Sequence, residues 1–308
     1  MNIQQLQYIV ALDQFRHFAK AAKHCGVSQP TLSMMVQKFE EELGIELFDR
    51  SRTPVGVTNI GELVINQARV IIYNIKQLKE IAGSSRESLQ GDLEMSIIPT
   101  VAPYLLPKLF SEFRRLLPSL RCRVSEMKTS VIVEKLKSAE IELAIVATPL
   151  SDPEILEVPL YYERFLAYIS PSDELYGSEY IEASQLDYSR MWILEEGHCF
   201  RDQILNICHR NLNSYQQYEA GSIETLINVV DENGGFTIFP ELHLPMLSPD
   251  QQKNIRPFSG EEPRREISLV FRQDFLKEKL LNTIVSAIKS IIPQNMIDPR
   301  LVKMRVKL

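Results

Sequence analysis

The chain has 308 residues, of which 44% are hydrophobic and 24% are charged, and its formal net charge is −6 at pH 7. This length allows two or three domains, and the composition is typical of a globular protein, which argues against general disorder. No apolar run approaches the roughly 20 residues needed to cross a bilayer, and the N-terminus lacks a basic start before an apolar core. We therefore expect a cytoplasmic protein without membrane contact.

The four cysteines are too few and too dispersed for a secreted disulfide scaffold, and their spacing does not resemble a zinc site. They are Cys25, Cys122, Cys199 and Cys208. We expect neither a metal nor a cofactor, and we expect any disulfide to be regulatory. Cys25 and Cys122 are interpreted as structural.

Charge is distributed unevenly along the chain. Residues 1–90 carry a slight excess of Lys and Arg, whereas residues 91–308 hold the net negative charge. Only the N-terminal region is therefore compatible with a phosphate backbone. Because the excess is small, defined geometry and dimerisation would have to supplement electrostatic attraction to DNA.

Three short helices are predicted at the N-terminus. Residues 3–13 place apolar side chains at helical spacing, and a second helix follows around residues 18–22. Gly26 interrupts the pattern, and Ser28 is a candidate N-cap for a third helix. The apolar stripe of that helix consists of Leu32, Val36, Phe39 and Leu43. This layout predicts a helix-turn-helix.

The third helix presents polar side chains, together with Met34, off its apolar stripe, which suits insertion into a major groove. Gly44 ends the helix, and the stretch DRSRTPVGVT predicts a short hairpin, or wing, that presents two arginines. The alternative for residues 1–58 is a small helical packing module without DNA contact. The predicted DNA-binding residues are Ser28, Gln29, Pro30, Thr31, Ser33, Gln37, Lys38, Arg50, Arg52 and Thr58.

A long helix is predicted from Thr58 to about Ala82. Its apolar side chains recur at alternating spacings of four and three, which suits a seam between two helices: Val64, Ala68, Ile71, Ile75, Leu78 and Ala82. An amphipathic helix that packs only on its own domain is the alternative. Because the helix lies between the DNA module and the linker GSSRESLQG, we favour a dimerising helix. Two symmetric modules would bind a roughly palindromic site.

After Gly91 the pattern changes to alternating strands and helices, which predicts a parallel α/β arrangement. The first unit contains the strands LEMSII, CRVSEM and LAIVA, with helices over 105–116 and 131–137. A second unit starts near Leu160, with candidate strands FLAYIS, MWILEE, YQQYEA and GFTIFP. The strand ISLVFR and a helix over 275–292 return to the first unit. Two such lobes would enclose a cleft for a small ligand.

A long motif at residues 17–50 carries a family resemblance: HFAKAAKHCGVSQPTLSMMVQKFEEELGIELFDR, followed by a T-x-x-G start to the next helix. It resembles the LysR-type transcriptional regulators. The segments IPTVAPYLLP, EGHCFRDQ, SIETL and EPRREISLVFR are similar to the peroxide-sensing OxyR branch, so the resemblance covers nearly the whole chain. Four residues differ from those of better-known members, namely Gln5, Met34, Met35 and Tyr218.

The predicted fold is therefore α/β with an all-α winged helix-turn-helix N-terminal domain at residues 1–58. A linker helix and hinge occupy residues 59–90. The C-terminal regulatory domain, residues 91–308, is expected to be two-lobed and periplasmic-binding-protein-like. Lobe I would comprise about residues 91–161 and 267–308, and lobe II about residues 162–266.

The resemblance implies a regulator, not an enzyme, that forms homodimers and homotetramers, contacts RNA polymerase and mainly activates oxidative-stress defence genes. It implies that Cys199 reacts with hydrogen peroxide, that Cys208 resolves the product as a reversible disulfide, and that a cellular thiol system resets the switch. The implied peroxide pocket consists of Thr100, Thr129, Gly197, His198, Arg201 and Asp202. Arg264 or Arg265 is a further candidate for supporting the Cys199 thiolate. Thr100 could equally well be the N-cap of the helix that follows it.

The residues around the two cysteines agree with this chemistry. A short helix is predicted to start just after Cys199, beside His198 and Arg201, where positive charge favours the thiolate. Cys208 lies on the apolar face of that helix. A helical segment would separate the two Cα atoms by about 13 Å, whereas a disulfide tolerates no more than about 7 Å. Disulfide formation must therefore refold the helix, which is a route to reorienting the DNA-binding modules.

Three other functions remain open from the sequence. A regulator could sense a small carboxylate metabolite between the lobes, with the cysteines incidental. A thiol peroxidase would share the first chemical step, although the DNA module argues against it. A solute-binding protein would have similar lobes, but it would carry a signal peptide and no helix-turn-helix.

Overall fold

The computed structural model describes residues 1–82, 89–194, 222–260, 262–302 and 306. Two compact units are present, the first comprising Met1–Arg86 with Lys137–Glu140, and the second Glu87–Leu136 with Ile141–Leu308. The numerical domain and lobe limits given above stay predictions. Among the described residues, no helix is both long and apolar enough to cross a membrane.

The first unit contains the three predicted helices, α1 (Ile3–Phe15), α2 (Phe18–His24) and α3 (Gln29–Leu43). The Ser28 hydroxyl caps α3 by accepting a hydrogen bond from the backbone N–H of Thr31 at 3.3 Å. Leu32, Val36 and Phe39 are buried as predicted, but Leu43 is 40% exposed. Its burial was wrongly predicted because α3 ends there, beyond the edge of the core, and Gly44 takes the left-handed conformation that terminates the helix.

The predicted wing is present as two short antiparallel strands, β1 (Phe48–Asp49) and β2 (Gly56–Val57). The next helix, α4, spans Asn59–Ala82. Gly61 approaches the chain so closely that an added Cβ would lie 2.2 Å from the carbonyl oxygen of Leu47. This close approach explains why the T-x-x-G motif requires glycine at its fourth position.

The predicted seam of α4 is only partly covered. Ala68 is buried in the core of the first unit, Val64 and Ile71 are half-buried against that core, and Leu78 is 64% exposed. The N-terminal half of α4 therefore packs on its own module. The dimerising role of the helix stays a prediction.

The second unit is built on one sheet with the strand order β4-β3-β5-β9-β6-β7, and β8 also pairs with β6. The strands are β3 (Gly91–Ile97), β4 (Leu120–Glu126), β5 (Leu143–Thr148), β6 (Ile155–Ile169), β7 (Phe236–Pro240), β8 (Ile255–Pro257) and β9 (Arg264–Arg272). Strands β3, β4 and β5 are parallel, as predicted. Strand β9 is antiparallel to both β5 and β6, so the sheet is mixed.

The described α-helices of the second unit are α5 (Ala102–Leu116), α6 (Thr129–Lys137), α7 (Ile223–Asn233), α8 (Pro249–Gln252), α9 (Glu278–Ile291) and α10 (Pro299–Val302). One hydrophobic core contains residues of β3, β5, β9, α5 and α9. A second core contains the end of β6 together with β7 and α7. Strand β6 therefore runs from one core into the other, so the second unit has two lobes.

The candidate strand MWILEE was not found as a strand over its described residues. In MWILEE, the described residues 191–194 form isolated bridges, of which one pairs Met191 with Phe236. The Trp192 indole N–H donates to the carbonyl oxygen of Gly234 at 2.9 Å. The segment YQQYEA, with Tyr218, lies outside the described residues.

Candidate functional site

The predicted DNA-binding residues of α3 lie on a largely exposed face of the helix. Gln29, Pro30, Thr31 and Lys38 are exposed, and Ser33 is half-buried. Two hydrogen bonds order this face: the hydroxyls of Ser28 and Thr31 lie 2.7 Å apart, and the Gln37 side-chain amide donates to Glu41 at 2.9 Å. The helix therefore presents short polar groups on a fixed backbone, which is the surface that a major groove accepts.

The two predicted arginines of the wing have different surroundings. Arg50 forms an ion pair with Glu40 at 2.5 Å, and its guanidinium lies 5.6 Å from the centre of the Phe18 ring. The other carboxylate oxygen of Glu40 accepts the backbone N–H of Leu47 at 2.8 Å. Arg52 is 75% exposed and pairs with Asp49 at 2.8 Å. The Arg50 side chain therefore fastens the wing to α3, whereas Arg52 reaches outward.

Thr58 caps α4. Its hydroxyl donates to the carbonyl oxygen of Glu46 at 2.7 Å and accepts the backbone N–H of Gly61 at 3.0 Å. The side chain thus has a structural task besides the DNA contact expected from the sequence. Its DNA contact stays a prediction.

In the second unit, Thr100 and Arg265 form the centre of a buried polar cluster. Nη1 of Arg265 donates to the Thr100 hydroxyl at 2.9 Å, and Nη2 donates to the Thr100 carbonyl oxygen at 3.3 Å. Thr100 does not cap α5, because Val101 occupies the N-cap position without a side-chain hydrogen bond. The capping interpretation of Thr100 was therefore wrong.

The same arginine is bound to Glu163, a residue that was not predicted from the sequence. Oε1 of Glu163 lies 2.7 Å from Nη2 of Arg265, and neither side chain is exposed. The Tyr104 hydroxyl donates to Glu163 at 2.9 Å and lies 3.0 Å from the Tyr161 hydroxyl. Burial, followed by the negative charge of Glu163, raises the pKa of both tyrosines well above the ordinary value, so both hydroxyls stay protonated.

A sequence signal for this cluster exists in the strands themselves. Charged residues interrupt both apolar strands, LYYERFLAYI and RREISLVFR. Strand pairing places Glu163 directly opposite Arg265. Arg264, the other candidate, lies on the opposite face of β9, where its side chain is 60% exposed and pairs with Glu262.

Thr129 begins α6, and its hydroxyl oxygen is buried. Within the described residues this oxygen has no hydrogen-bond partner, which is costly unless a further group binds it. The remaining predicted site residues, Gly197, His198, Cys199, Arg201, Asp202 and Cys208, lie outside the described residues. The structure therefore brings together Thr100 and Arg265 from the predicted set.

No group of three or more potential metal ligands occurs among the described His, Cys, Asp and Glu residues. Burial, followed by the charge of Glu94, raises the pKa of the Cys122 thiol to about 12, and burial raises that of Cys25. Both thiols are therefore poor nucleophiles near neutral pH.

A helix-turn-helix module with a wing, followed by a two-lobed α/β unit, defines a DNA-binding regulator with a ligand- or signal-responsive domain. Two family models match the chain: residues 3–62 match the bacterial regulatory helix-turn-helix protein of the lysR family, and residues 86–290 match the LysR substrate binding domain. The chain belongs to the LysR family of transcriptional regulators.

Three similar proteins cover nearly the full length. The hydrogen peroxide-inducible genes activator of Haemophilus influenzae is 36% identical over 299 residues, which are 95% of this chain and 99% of that protein. The DNA-binding transcriptional dual regulator OxyR of Escherichia coli is 36% identical over 276 residues, covering 88% and 90%. The structure of a full-length OxyR from Pseudomonas aeruginosa is 30% identical, with a TM-score of 0.82 and coverage of 94% and 95%.

Proposed function

We propose that this chain is a cytoplasmic, redox-responsive transcription regulator that senses hydrogen peroxide and mainly activates oxidative-stress defence genes. The likeness to the Haemophilus influenzae activator carries this proposal, because it extends over 95% of this chain and 99% of that protein. The protein acts as a regulator and not as an enzyme. It binds an operator as a homodimer or homotetramer and contacts RNA polymerase.

The chemistry has two balanced steps. The Cys199 thiolate attacks one oxygen of hydrogen peroxide, the O–O bond breaks, and a sulfenic acid and hydroxide form. The Cys208 thiolate then attacks the sulfenic sulfur, which gives the disulfide and releases hydroxide. Overall the two thiols lose two protons and two electrons, and hydrogen peroxide is reduced to two molecules of water. A dithiol reductant reverses the switch by thiol–disulfide exchange and is itself oxidised to a disulfide.

The buried cluster supports a site for this chemistry in the second unit. Arg265 is held by two contacts to Thr100 and by the carboxylate of Glu163. Because Glu163 balances the charge of Arg265, we assign this guanidinium the role of fixing the Thr100 hydroxyl in place. Thr129 adds a buried hydroxyl that can donate to a peroxide oxygen. The proposed pocket thus combines Thr100, Thr129, Gly197, His198, Arg201 and Asp202 around Cys199.

Mass spectrometry of the reduced full-length protein tests the proposal. Treatment with one equivalent of hydrogen peroxide should remove two hydrogens and link the peptides of Cys199 and Cys208. In a Cys208→Ser variant, a dimedone adduct should report a sulfenic acid on Cys199. If both cysteines stay reduced while the protein still binds DNA, the regulator instead senses a metabolite between its lobes.

A further inference from the structure

The exposed face of α3 has a large apolar side chain near its centre. Met34 is 62% exposed, whereas its neighbour Met35 is half-buried and packs against the core of the first unit. On a helix, the residues three and four positions away are the surface neighbours of a side chain. For Met34 these are Pro30, Thr31, Gln37 and Lys38, and all four are exposed.

The polar neighbours of Met34 already have partners within the helix. The Thr31 hydroxyl is bonded to Ser28 at 2.7 Å, and the Gln37 amide donates to Glu41 at 2.9 Å. Base recognition by either group would compete with these bonds. Met34 has no such competition, because its contact with DNA would bury apolar surface that is now in water.

The chemistry of the major groove identifies the matching group. Each base-pair edge presents hydrogen-bond donors and acceptors, and thymine alone adds an apolar group, the C5-methyl. A methionine side chain is long, flexible and polarizable, so it adapts to such a group without precise alignment. Burial of one methyl group against it is worth roughly a three- to fivefold change in affinity.

We propose that Met34 is a specificity-determining residue that contacts the C5-methyl group of one thymine in each half-site of the operator. This inference rests on the DNA-binding function of the family and adds a contact outside the predicted set. The oxidation of Cys199 plays no role in it.

A cycle of protein and DNA changes tests the contact. The operator is first selected from random duplexes with full-length protein in excess dithiothreitol. Each thymine of that operator is then replaced singly by deoxyuridine, which removes only the methyl group. For the unmodified protein we expect a roughly three- to fivefold loss of affinity at one thymine per half-site.

In a Met34→Ala variant, the same deoxyuridine should cost almost nothing, because the partner of the methyl group is absent. Met34→Gln, which keeps the side-chain length, should behave like Met34→Ala, and Met34→Leu should retain the response. Met35→Leu is the matched control and should respond like the unmodified protein.

Equal losses at that thymine in the Met34→Ala and unmodified proteins would overturn the proposal, as would an operator in which no thymine methyl matters. Since all binding is measured under reducing conditions, either result leaves peroxide sensing untouched. A failure of the cysteine chemistry would likewise leave the Met34 contact intact.

Discussion

Glu163 on β6 and Arg265 on β9 face each other as strand partners, with Oε1 and Nη2 2.7 Å apart and both side chains inaccessible to water. Removing two charges from water is costly, and such a pair persists only when further hydrogen bonds complete it. Tyr104 supplies one to Glu163, and Thr100 accepts two from Arg265. The pair lies where β6 passes between the two hydrophobic cores.

Glu163→Gln should lower the free energy of unfolding of the second unit by about 3–5 kcal/mol, because a buried guanidinium would lose its counter-ion. Urea denaturation measures this loss. The matched control is Asp92→Asn, which breaks the exposed pair between Asp92 and Arg121, whose side chains are 64% and 80% exposed. That change should cost no more than about 1 kcal/mol. Similar losses in the two variants would contradict the assigned burial.

Arg50→Ala should destabilise the first unit by about 1–2 kcal/mol, because it removes the ion pair with Glu40 and the contact with the Phe18 ring. Thermal unfolding measures the loss. Arg52→Ala should leave stability nearly unchanged, since Arg52 is 75% exposed. If Arg52 binds a phosphate, the alanine variant should reduce the salt dependence of DNA affinity by about one counter-ion. If Arg52→Ala destabilised the protein more than Arg50→Ala, the structural role of Arg50 would be contradicted.

Thr129→Val should slow the oxidation of Cys199 without lowering the stability of the protein. The buried hydroxyl has no partner among the described residues, so replacing it by a methyl group of the same shape should leave stability unchanged or raise it by up to about 1 kcal/mol. If the hydroxyl binds peroxide, oxidation of Cys199 should slow by roughly tenfold, the effect of one lost hydrogen bond. Stopped-flow oxidation measures the rate, and Thr129→Ser should restore it. A clear loss of stability in Thr129→Val would indicate a structural role instead.

Cys122 should resist alkylation by iodoacetamide at pH 8, because burial and the charge of Glu94 raise its thiol pKa from 9.0 to about 12. The denatured protein should react fully, and peptide mass spectrometry distinguishes the two. Because the pKa is raised only in the folded protein, the unfolded chain loses the thiol proton at a lower pH than the folded protein does. The contribution of the thiol to stability is therefore present below about pH 9 and is lost as the pH rises toward 12. Rapid alkylation of Cys122 in the folded protein at pH 8 would contradict the raised thiol pKa.

Sequence periodicity alone determined the helix-turn-helix. The boundaries of α1, α2 and α3 agree with the predicted helices, because an apolar stripe, a serine cap and a terminating glycine act within a few residues of one another. The parallel strands β3, β4 and β5 were equally clear, since apolar runs alternate with amphipathic helices. Such local signals do not depend on distant contacts.

The polar clusters were decided only by tertiary structure. The sequence could not separate Arg264 from Arg265, because the two faces of a strand are equivalent until the sheet is packed. It also offered no nearby partner for Arg265, since Glu163 lies 102 residues away along the chain. Arg50 likewise looked like a free cation until α3 placed Glu40 beside it. Hydrophobic spacing is local information, whereas the counter-ion of a buried charge is supplied by whichever strand or helix folds against it.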